Sequence, residues 1–441
     1  MTTEEIQLPV KFAQPSESTP AKTVLVHISK MESFICSLNP RASLYEDVTD
    51  EDDIRQCFNG LGEYLKTKNI RLITVEDALF LKGKEKELEN LARSSLTYQK
   101  ARGSPQKPQN QLDELLAISK RKRSEDEYLY FTDEDYKAKV LGKFKKKNLM
   151  NVILTRPTMK LKYIETDTFI ESTSITFNPV GNIIFCRDQQ ITTKKGIVIG
   201  RTRTSQRKYE HIIMKQVFEN LGADIIGHIT NDEDGYLEGG DYFVARENLS
   251  MLGVGLRTNI NGANYLMKND LLGTRYMAIC YDEKDKDQQR MHLDTYFNIL
   301  NDNNAVVIDF EDVKKQNKIS NNIDRKVYYY DNDKNAIEID SDNVNIKSSV
   351  GEYKLIRIFN SFYDFLKEMK FNYIKITDAE QKNYMINFLN IGNNTVISVN
   401  IDLEKKLKEN GIDNIEVKYF DCKPILNMYG GMHCMTQVSR V

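Results

Sequence analysis

The sequence predicts an α/β protein that carries a helical insertion. An amphipathic helix, a break at glycine or asparagine and a short β-rich run recur along the 441 residues. The recognisable copies of this unit begin at Ile54, Tyr209, Ser361 and Leu403. Glycine favours a helix C-terminus and β-branched residues favour a strand, so each boundary is physically consistent. Helices and strands are therefore expected to alternate through most of the chain.

The chain is expected to fall into consecutive segments. Residues 1–22 hold prolines among polar residues without a hydrophobic period, which predicts a loose arm. Residues 23–74 begin the α/β domain and residues 161–441 complete it. Between them, residues 75–160 lose the strand pattern and become dense in charge, so we expect a helical insertion.

Two biased stretches need an interpretation. The basic runs 120–123 and 143–147 are separated by acidic residues, which favours a solvated helix face over a nucleic-acid site. The stretch from Asn301 to Asn343 is rich in Asn, Asp and Lys. We interpret it as exposed loops and edge strands.

The charge balance excludes several classes of function. With 62 Lys and Arg against 64 Asp and Glu, the net charge is −2, so bulk electrostatics favours neither a nucleic acid nor an anionic membrane. The mean hydropathy is −0.52, and no apolar run approaches the roughly 18 residues of a membrane helix. The N-terminus lacks the features of a secretory signal or transit peptide, so a cytoplasmic location is expected.

The six cysteines form no C-x-x-C pair and are mostly far apart in the sequence. This spacing argues against a zinc knuckle, a thioredoxin motif or a disulfide framework. Reduced thiols are expected, with one of them a candidate for chemistry.

That candidate is Cys434, within the run Tyr429–Thr436. Two glycines precede it, which allows close backbone approach and predicts an exposed thiol. His433 is adjacent, but neighbouring side chains of an extended segment point apart. His433 is therefore a poor candidate for the base.

Three further islands hold acidic residues, accompanied by a histidine in the first, two glycines in the second and an arginine in the third. In Met291–Thr295, a strand would place His292 and Asp294 on one face, and the alternative is an edge strand that faces water. In Leu237–Asp241, Glu238 and Asp241 flank two glycines, and the alternative is a plain turn. The run Asn182–Asp188 is predicted to be a strand with a polar tip.

Together these islands resemble the motifs of the arginine deiminase family of guanidine-modifying hydrolases. The family pattern contains Asn-x-x-Phe-x-Arg-Asp, Glu-Gly-Gly-Asp, Gly-x-x-x-Arg, Met-His-Leu-Asp-Thr and Gly-x-His-Cys-Met. In this chain the corresponding segments, in the same order, are Asn182–Asp188, Glu238–Asp241, Gly253–Arg257, Met291–Thr295 and Gly431–Met435. The resemblance extends over about residues 23–441.

The resemblance implies a fold and a set of roles. The fold would be a five-unit, pseudo-symmetric α/β propeller, the pentein fold, with a helical domain inserted after the first unit. Cys434 would be the nucleophile, His292 and Glu238 would handle protons, and Asp188 and Asp294 would hold the substrate guanidinium. The residues expected to bind the amino-acid end of the substrate are Asn182, Phe185, Arg207 and Arg257.

The chemistry of a guanidinium explains these residue types. Its carbon is a poor electrophile, and two carboxylates that grip its nitrogens orient the group and localise its charge. A thiolate can then attack and leave a covalent S-alkylthiouronium, which water hydrolyses. The substrate cation lowers the thiol pKa, so neither a metal nor another cofactor is expected.

The implied activity converts L-arginine and water to L-citrulline and ammonia. The rivals on the same scaffold are an arginine dihydrolase, which gives ornithine and two ammonia, and an amidinotransferase. A non-enzymatic rival is an arginine-binding sensor or assembly protein. The expected partner is the small-molecule substrate, without nucleic acid or membrane, in a homo-oligomer such as a dimer or tetramer.

The chain departs from the family pattern at Tyr429, where some family members place an arginine near the substrate.

Overall fold

The computed structural model describes residues 6–102, 128–164, 170–230, 234–282, 284–320 and 322–441. The basic run 120–123 lies outside them. The chain divides into two units. The first comprises Met1–Ser29, Asn39–Ala78 and Asn182–Val441, and the second comprises Lys30–Leu38 and Leu79–Gly181.

The strands are numbered in chain order. They are β1 (Thr23–Val26), β2 (Arg71–Thr74), β3 (Thr97–Lys100), β4 (Thr158–Tyr163), β5 (Ile170–Thr176), β6 (Gln190–Thr192), β7 (Ile197–Ile199), β8 (Ile225–His228), β9 (Tyr242–Arg246), β10 (Leu249–Val254), β11 (Tyr276–Tyr281), β12 (Phe297–Ile299), β13 (Asn304–Ile308), β14 (Lys326–Asp331), β15 (Ser349–Val350), β16 (Tyr353–Phe359), β17 (Asn372–Ile376), β18 (Leu389–Gly392), β19 (Thr395–Ser398), β20 (Glu416–Tyr419) and β21 (Gln437–Ser439).

The α-helices are numbered in the same way. They are α1 (Met31–Ser37), α2 (Glu51–Thr67), α3 (Val75–Leu79), α4 (Glu85–Ser95), α5 (Glu134–Leu141), α6 (Lys146–Thr155), α7 (Glu210–Leu221), α8 (Ile260–Lys268), α9 (Phe310–Gln316), α10 (Phe362–Glu368), α11 (Asp378–Lys382), α12 (Leu403–Glu409) and α13 (Lys423–Leu426).

One strand pairing recurs five times in the described part of the first unit. A central strand pairs antiparallel with one neighbour and parallel with the other. The sets are β2-β1-β21, β6-β7-β8, β9-β10-β11, β12-β13-β17 and β18-β19-β20. A parallel pair requires a crossover connection, and a helix lies within each of these connections. The predicted alternation of helices and strands is confirmed.

Local sequence explains these helices. In α2 the Asp50 carboxylate accepts hydrogen bonds from the amides of Asp52 and Asp53, and apolar residues spaced by three or four face inward. Helix α7 ends at Gly222, whose φ of 67° suits a glycine C-cap. The predicted copies at Ile54, Tyr209, Ser361 and Leu403 correspond to α2, α7, α10 and α12. The α8–β11 copy was missed.

The prediction for Asn301–Asn343 is partly wrong. Strand β13 lies between β12 and β17, and β14 lies between β11 and β16, so both are interior strands. Most of their residues are buried. Through β14–β16 the third set becomes part of a six-stranded sheet. The asparagines and aspartates of the stretch are concentrated between these strands, which hid the apolar runs within it.

The N-terminal segment is not a loose arm. Phe12, Gln14 and Glu17 are each no more than 3% exposed. The backbone amide of Gln14 donates to the carbonyl of Thr193, and that of Glu17 donates to the carbonyl of Val244. Proline and polar residues can pack when a neighbouring sheet edge supplies hydrogen-bond partners, which composition does not reveal.

The second unit is not purely helical. It contains α1, α4, α5 and α6, and also the three-stranded sheet β3-β4-β5. Strand β3 falls inside the segment 75–160 that was expected to lack strands. Its sequence, Thr-Tyr-Gln-Lys, is too short and polar to show a period. The run 143–147 overlaps the start of α6, where Lys146 pairs with Glu85.

The expectation of reduced cysteines is wrong for one pair. Cys57 of α2 and Cys422, just before α13, form a disulfide with Cα atoms 5.4 Å apart. They are 365 positions apart in sequence, so no spacing pattern could pair them. The other cysteines are free thiols.

The helices were also compared with the length and hydrophobicity that a membrane span requires. None in the described part of the chain meets both.

Candidate active site

Cys434 lies in a turn between α13 and β21 and is only 5% exposed, so the predicted exposed thiol is wrong. The preceding glycines do allow close approach. A Cβ atom on Gly430 would lie 2.1 Å from the Phe185 ring, and one on Gly431 would lie 2.8 Å from the Asn387 side-chain oxygen. Any side chain at these two positions would displace a neighbour of the thiol.

Two islands expected to be strands are 3₁₀ turns. Leu293–Thr295 forms one such turn, with His292 extended just before it. Gly181–Ile184 forms another. The side chains of His292 and Asp294 therefore reach the site through a tight turn rather than through strand alternation. The sequence of so short a segment does not reveal whether it forms a strand or a 3₁₀ turn.

His292 and Glu238 form a buried ion pair. The His292 Nε2 atom lies 2.9 Å from Glu238 Oε2. Burial acts to lower the pKa of His292, but nearby carboxylates outweigh it and raise the pKa to about 9. These carboxylates belong to Asp188, Asp241 and Glu238. Burial acts to raise the pKa of Glu238, but the His292 contact and nearby arginines hold it well below its usual range.

Asp241 holds two parts of the site in place. Its carboxylate accepts hydrogen bonds from the backbone amides of Leu293, at 3.0 Å, and Thr258, at 3.2 Å. A Cβ atom on Gly253 would lie 2.5 Å from Asp241 Oδ1, and one on Gly240 would lie 2.8 Å from His292 Nδ1. The glycines of these two motifs therefore leave room for the side chains of His292 and Asp241.

Asn387 and Asp294 contact the thiol. Asn387 Nδ2 lies 3.1 Å from Cys434 Sγ, and Asp294 Oδ2 lies 3.5 Å from it. Burial, followed by the charges of Asp294 and Asp188, raises the pKa of Cys434 well above its usual value. Without a bound cation, the thiol is therefore protonated near neutral pH.

His433 lies behind Asp294. Its Nδ1 atom is 2.7 Å from Asp294 Oδ2, and its ring stacks on Phe243 with centroids 5.0 Å apart. Burial acts to raise the pKa of Asp294, but the His433 contact outweighs it and lowers this pKa. His433 thus contacts a carboxylate of the site, a position that the adjacency argument did not reveal.

Arg207 is held within a cluster of acids. Its guanidinium contacts Asp188 Oδ2 at 2.7 Å and Glu210 Oε2 at 2.8 Å, and it donates to the carbonyl of Asn182 at 3.2 Å. The residue is 4% exposed. Most of its donors are therefore committed to protein acceptors, including a carboxylate that was expected to hold the substrate.

Arg257 is more available. Its Nη1 donates to the Thr204 hydroxyl and its Nη2 lies 3.2 Å from Met291 Sδ, whereas its buried Nε has no hydrogen-bond partner among the described residues. Both arginines line the same small cavity. The other site residues that line it are Asn182, Phe185, Asp188, His292, Tyr429 and Cys434.

Three buried polar atoms at this site have no hydrogen-bond partner among the described residues. They are Asp188 Oδ1, Asp294 Oδ1 and His292 Nδ1. A buried polar atom that lacks a partner is costly, so native proteins usually supply one. Two carboxylate oxygens suit the N–H groups of a planar cation.

The same region could in principle hold a metal ion. Ligand atoms of Asp188, Glu238 and His292 lie within 4.8 Å of one another. Two carboxylates and an imidazole are suitable ligand types for zinc. However, the Arg207 guanidinium already lies 2.7 Å from Asp188 and 4.0 Å from Glu238, so a metal ion would meet that positive charge. The residues better fit an organic cation at Asp188 Oδ1 and Asp294 Oδ1, which accept no hydrogen bond from the described part of the chain.

Comparison with known proteins identifies the family. A family model described as "Arginine deiminase" matches residues 45–440. This chain belongs to the arginine deiminase family.

Individual relatives are distant. The arginine deiminase of Halobacterium salinarum is 23% identical over 336 residues, which cover 58% of this chain and 64% of the relative. That of Borreliella burgdorferi is 28% identical over 152 residues, which cover 33% of this chain and 36% of the relative. The matched stretches thus span less than two thirds of these relatives.

Solved structures show only a limited likeness. A dimethylarginine dimethylaminohydrolase adduct matches at 15% identity and a TM-score of 0.46, covering 95% of this chain and 99% of that chain. The N-terminal domain of ArgZ, an arginine dihydrolase from cyanobacteria, matches at 17% identity and a TM-score of 0.41. That match covers 64% of this chain and 79% of the chain of that N-terminal domain.

Two residues that contact predicted site residues of this arginine deiminase family member were not identified from the sequence. Asn387 contacts Cys434, and His433 contacts Asp294. Asn387 stands in the apolar run Met385–Leu389, and a buried amide in such a run is the signal that could have identified it. His433 was considered only as a base. Its contact with Asp294 depends on a turn that the sequence does not reveal.

Proposed function

We propose that this protein hydrolyses L-arginine to L-citrulline and ammonia. The observation that carries the proposal is a pair of buried carboxylate oxygens, Asp188 Oδ1 and Asp294 Oδ1, that accept no hydrogen bond from the described residues and whose side chains act electrostatically on the Cys434 thiol. A guanidinium supplies N–H donors for both oxygens and positive charge for both carboxylates. Its central carbon would then face the sulfur.

Substrate binding activates the nucleophile. Burial is the largest cause of the raised pKa of Cys434, and the charges of Asp294 and Asp188 are the next largest. A bound cation neutralises both charges, so the thiol loses its proton to solvent and the thiolate forms next to its target. The Asn387 amide, 3.1 Å from Sγ, stabilises the negative sulfur.

The first half-reaction forms a C–S bond and breaks a C–N bond. The thiolate attacks the guanidinium carbon and gives a neutral tetrahedral adduct. His292, protonated because its pKa is about 9, donates its proton to the departing amine. Ammonia leaves, and a cationic S-alkylthiouronium remains on Cys434.

The second half-reaction restores the enzyme. His292, now neutral, takes a proton from water as the oxygen attacks the thiouronium carbon. Glu238, 2.9 Å from His292 Nε2, stabilises the imidazolium that forms. The C–S bond breaks, citrulline is released, and the hydroxyl proton of the second adduct returns to the sulfur.

Arg257 is the better candidate for the substrate carboxylate. Among the described residues its Nε has no hydrogen-bond partner and its guanidinium, which lines the cavity, forms no ion pair with a carboxylate within 4.0 Å. We propose that Asn182 and Phe185 also contact the amino-acid end. The N–H groups of Arg207 already contact Glu210 and Asp188. Arg207 therefore orients Asp188 and contributes positive potential near the amino-acid end of the substrate.

We further infer that the five strand sets close into a pentein propeller. The repeated antiparallel and parallel pairing supports this proposal. A dimer or tetramer, a cytoplasmic location and the absence of a cofactor stay predictions from the sequence.

Product analysis tests the proposed activity. Purified protein is incubated with L-arginine, and citrulline, ornithine and ammonia are quantified over time. Equal amounts of citrulline and ammonia are expected. Ornithine with twice as much ammonia would instead identify a dihydrolase, and transfer of the amidino group to an added amine would identify an amidinotransferase. Saturable binding without any product would support a sensor.

A further inference from the structure

The N-terminal segment contributes a carboxylate behind the site. Glu17 is 1% exposed, and its backbone amide donates to the carbonyl of Val244 at 2.7 Å. Its side chain pairs with Arg440, whose Nη2 lies 3.0 Å from Glu17 Oε1. The Gln14 side-chain amide donates to the other oxygen. Burial acts to raise the pKa of Glu17, but chiefly Arg440 and His433 lower it to about 2.

Glu17 also faces His433. Glu17 Oε1 lies 3.8 Å from His433 Nε2, which has no hydrogen-bond partner among the described residues. On the other side of the ring, Nδ1 contacts Asp294 Oδ2 at 2.7 Å. The His433 carbonyl accepts a hydrogen bond from Arg187 Nε at 3.2 Å. The imidazole is thus fixed by a carboxylate on each side.

We propose that Glu17 is a positioning residue that acts through His433 on Asp294. This inference rests on the proposed function, because it concerns the carboxylate that would hold the guanidinium. The Glu17 charge, which faces Nε2, favours the ring orientation that places Nδ1 beside Asp294 Oδ2. With Oδ2 held in this way, Oδ1 stays directed at the substrate.

The geometry explains why such support is useful. A carboxylate that rotates freely would lose part of the alignment between guanidinium carbon and sulfur, and small misplacements of reacting groups reduce rates strongly. Asp294 receives no side-chain hydrogen bond on Oδ1 from the described residues, so its orientation depends on the contact at Oδ2. The contacts of the N-terminal segment therefore extend to the reacting groups through only one intervening side chain.

Two substitutions of His433 separate its nitrogens. His433→Asn places an amide where Nδ1 stands, whereas His433→Gln places one where Nε2 stands. We expect His433→Gln to lower kcat/KM by about 100-fold and His433→Asn by about 10-fold, since only the latter keeps a donor for Asp294. Equal losses, or the reverse order, would contradict action through Nδ1.

A double-mutant cycle tests Glu17. Glu17→Gln keeps a hydrogen-bonding group for Arg440 and removes the charge that faces His433. We expect it to lower kcat/KM by about 10-fold alone, and by less than about twofold when His433→Asn is already present. If the losses are additive, Glu17 acts through Arg440 and the fold, and the proposal is wrong. Glu404→Gln, which removes an exposed partner of Lys408 on α12, is the matched control and should leave kcat/KM unchanged.

A binding measurement separates this proposal from the proposed function. In a Cys434→Ala background, L-arginine binding is measured by calorimetry with and without Glu17→Gln. We expect binding about 10-fold weaker with Glu17→Gln, because Asp294 also holds the ground-state guanidinium. Unchanged binding would overturn the positioning role alone. Wild-type protein that binds arginine but makes no citrulline would overturn the proposed function alone.

Discussion

Asn387 holds Cys434 from two sides. Its Nδ2 lies 3.1 Å from the Cys434 sulfur, and its Oδ1 accepts the Cys434 backbone amide at 3.2 Å. The same Nδ2 donates to the carbonyl of Asp294 at 3.1 Å. One amide therefore fixes both Cys434, the proposed nucleophile, and the segment that carries Asp294, the carboxylate proposed to bind the guanidinium.

The first prediction concerns this amide. Asn387→Ala removes a donor that stabilises the thiolate, so the pKa of Cys434 should rise further and kcat should fall by about 10-fold or more. The checks are steady-state kinetics and the pH dependence of Cys434 alkylation, followed by mass spectrometry. Asn383→Ala, at an exposed position shortly before it in the chain, is the control. An unchanged alkylation profile in Asn387→Ala would contradict the role.

The second prediction concerns glycine packing. Gly430→Ala places a methyl group 2.1 Å from the Phe185 ring, so either the ring or the Cys434 turn must move. We expect a lower midpoint of thermal unfolding and a loss of turnover. Gly60→Ala is the matched control. Gly60 lies within α2, where alanine is the better helix former, and the added Cβ would lie 3.4 Å from the Phe420 ring, an ordinary contact distance. Normal turnover in Gly430→Ala would show that the close packing of Gly430 against Phe185 is not required.

The third prediction separates the two arginines. Arg257→Gln should raise KM for L-arginine by about 10-fold or more and leave activity on agmatine, which lacks the carboxylate, nearly unchanged. Arg207→Gln should instead reduce kcat on both substrates, because Asp188 and Glu210 lose their common partner. Kinetics on both substrates distinguish the variants. Equal loss on agmatine in Arg257→Gln would contradict its assignment to the carboxylate.

The fourth prediction concerns pH. The pKa of His292 is raised from 6.5 to about 9, so its contribution to the free energy of unfolding is complete below about pH 6.5 and disappears as pH rises through about 9. The difference between wild type and His292→Gln in denaturant unfolding should shrink over that interval. Turnover should also fall as His292 loses the proton it donates.

His211→Gln provides the comparison for this experiment. Burial lowers the pKa of His211 to about 4, so His211 is neutral in the folded protein at neutral and higher pH. Its effect on the free energy of unfolding should change between about pH 4 and 6.5 and then stay constant. If the His292→Gln difference also stays constant between about pH 6.5 and 9, the raised pKa of His292 is wrong.

The sequence predicted the α/β alternation and the family, but not the local conformation of the motifs. Helix caps and strand-forming runs are local signals, which is why α2 and α7 were recognisable. His292 and Asp294 were singled out on the assumption of a strand, yet a 3₁₀ turn carries Asp294. The choice between these conformations depends on distant contacts, such as the Asp241 hydrogen bond to Leu293.

Residues that act through long-range contacts were not predictable. Glu17 is 416 positions from His433, and its segment has the composition of a flexible arm. Asn387 differs from a structural amide only through its position beside Cys434. The Cys57–Cys422 disulfide joins residues at opposite ends of the chain. In each case the tertiary fold supplies the partner.

The covalent intermediate on Cys434 is the central claim, and rapid acid quenching tests it most directly. Protein mixed with excess L-arginine is quenched during the first turnovers, and its intact mass and the modified peptide are measured. We expect a mass increase equal to arginine less ammonia, located on Cys434 and absent from Cys434→Ala. Citrulline formation by wild-type protein without such an adduct, or undiminished turnover in Cys434→Ala, would contradict the account.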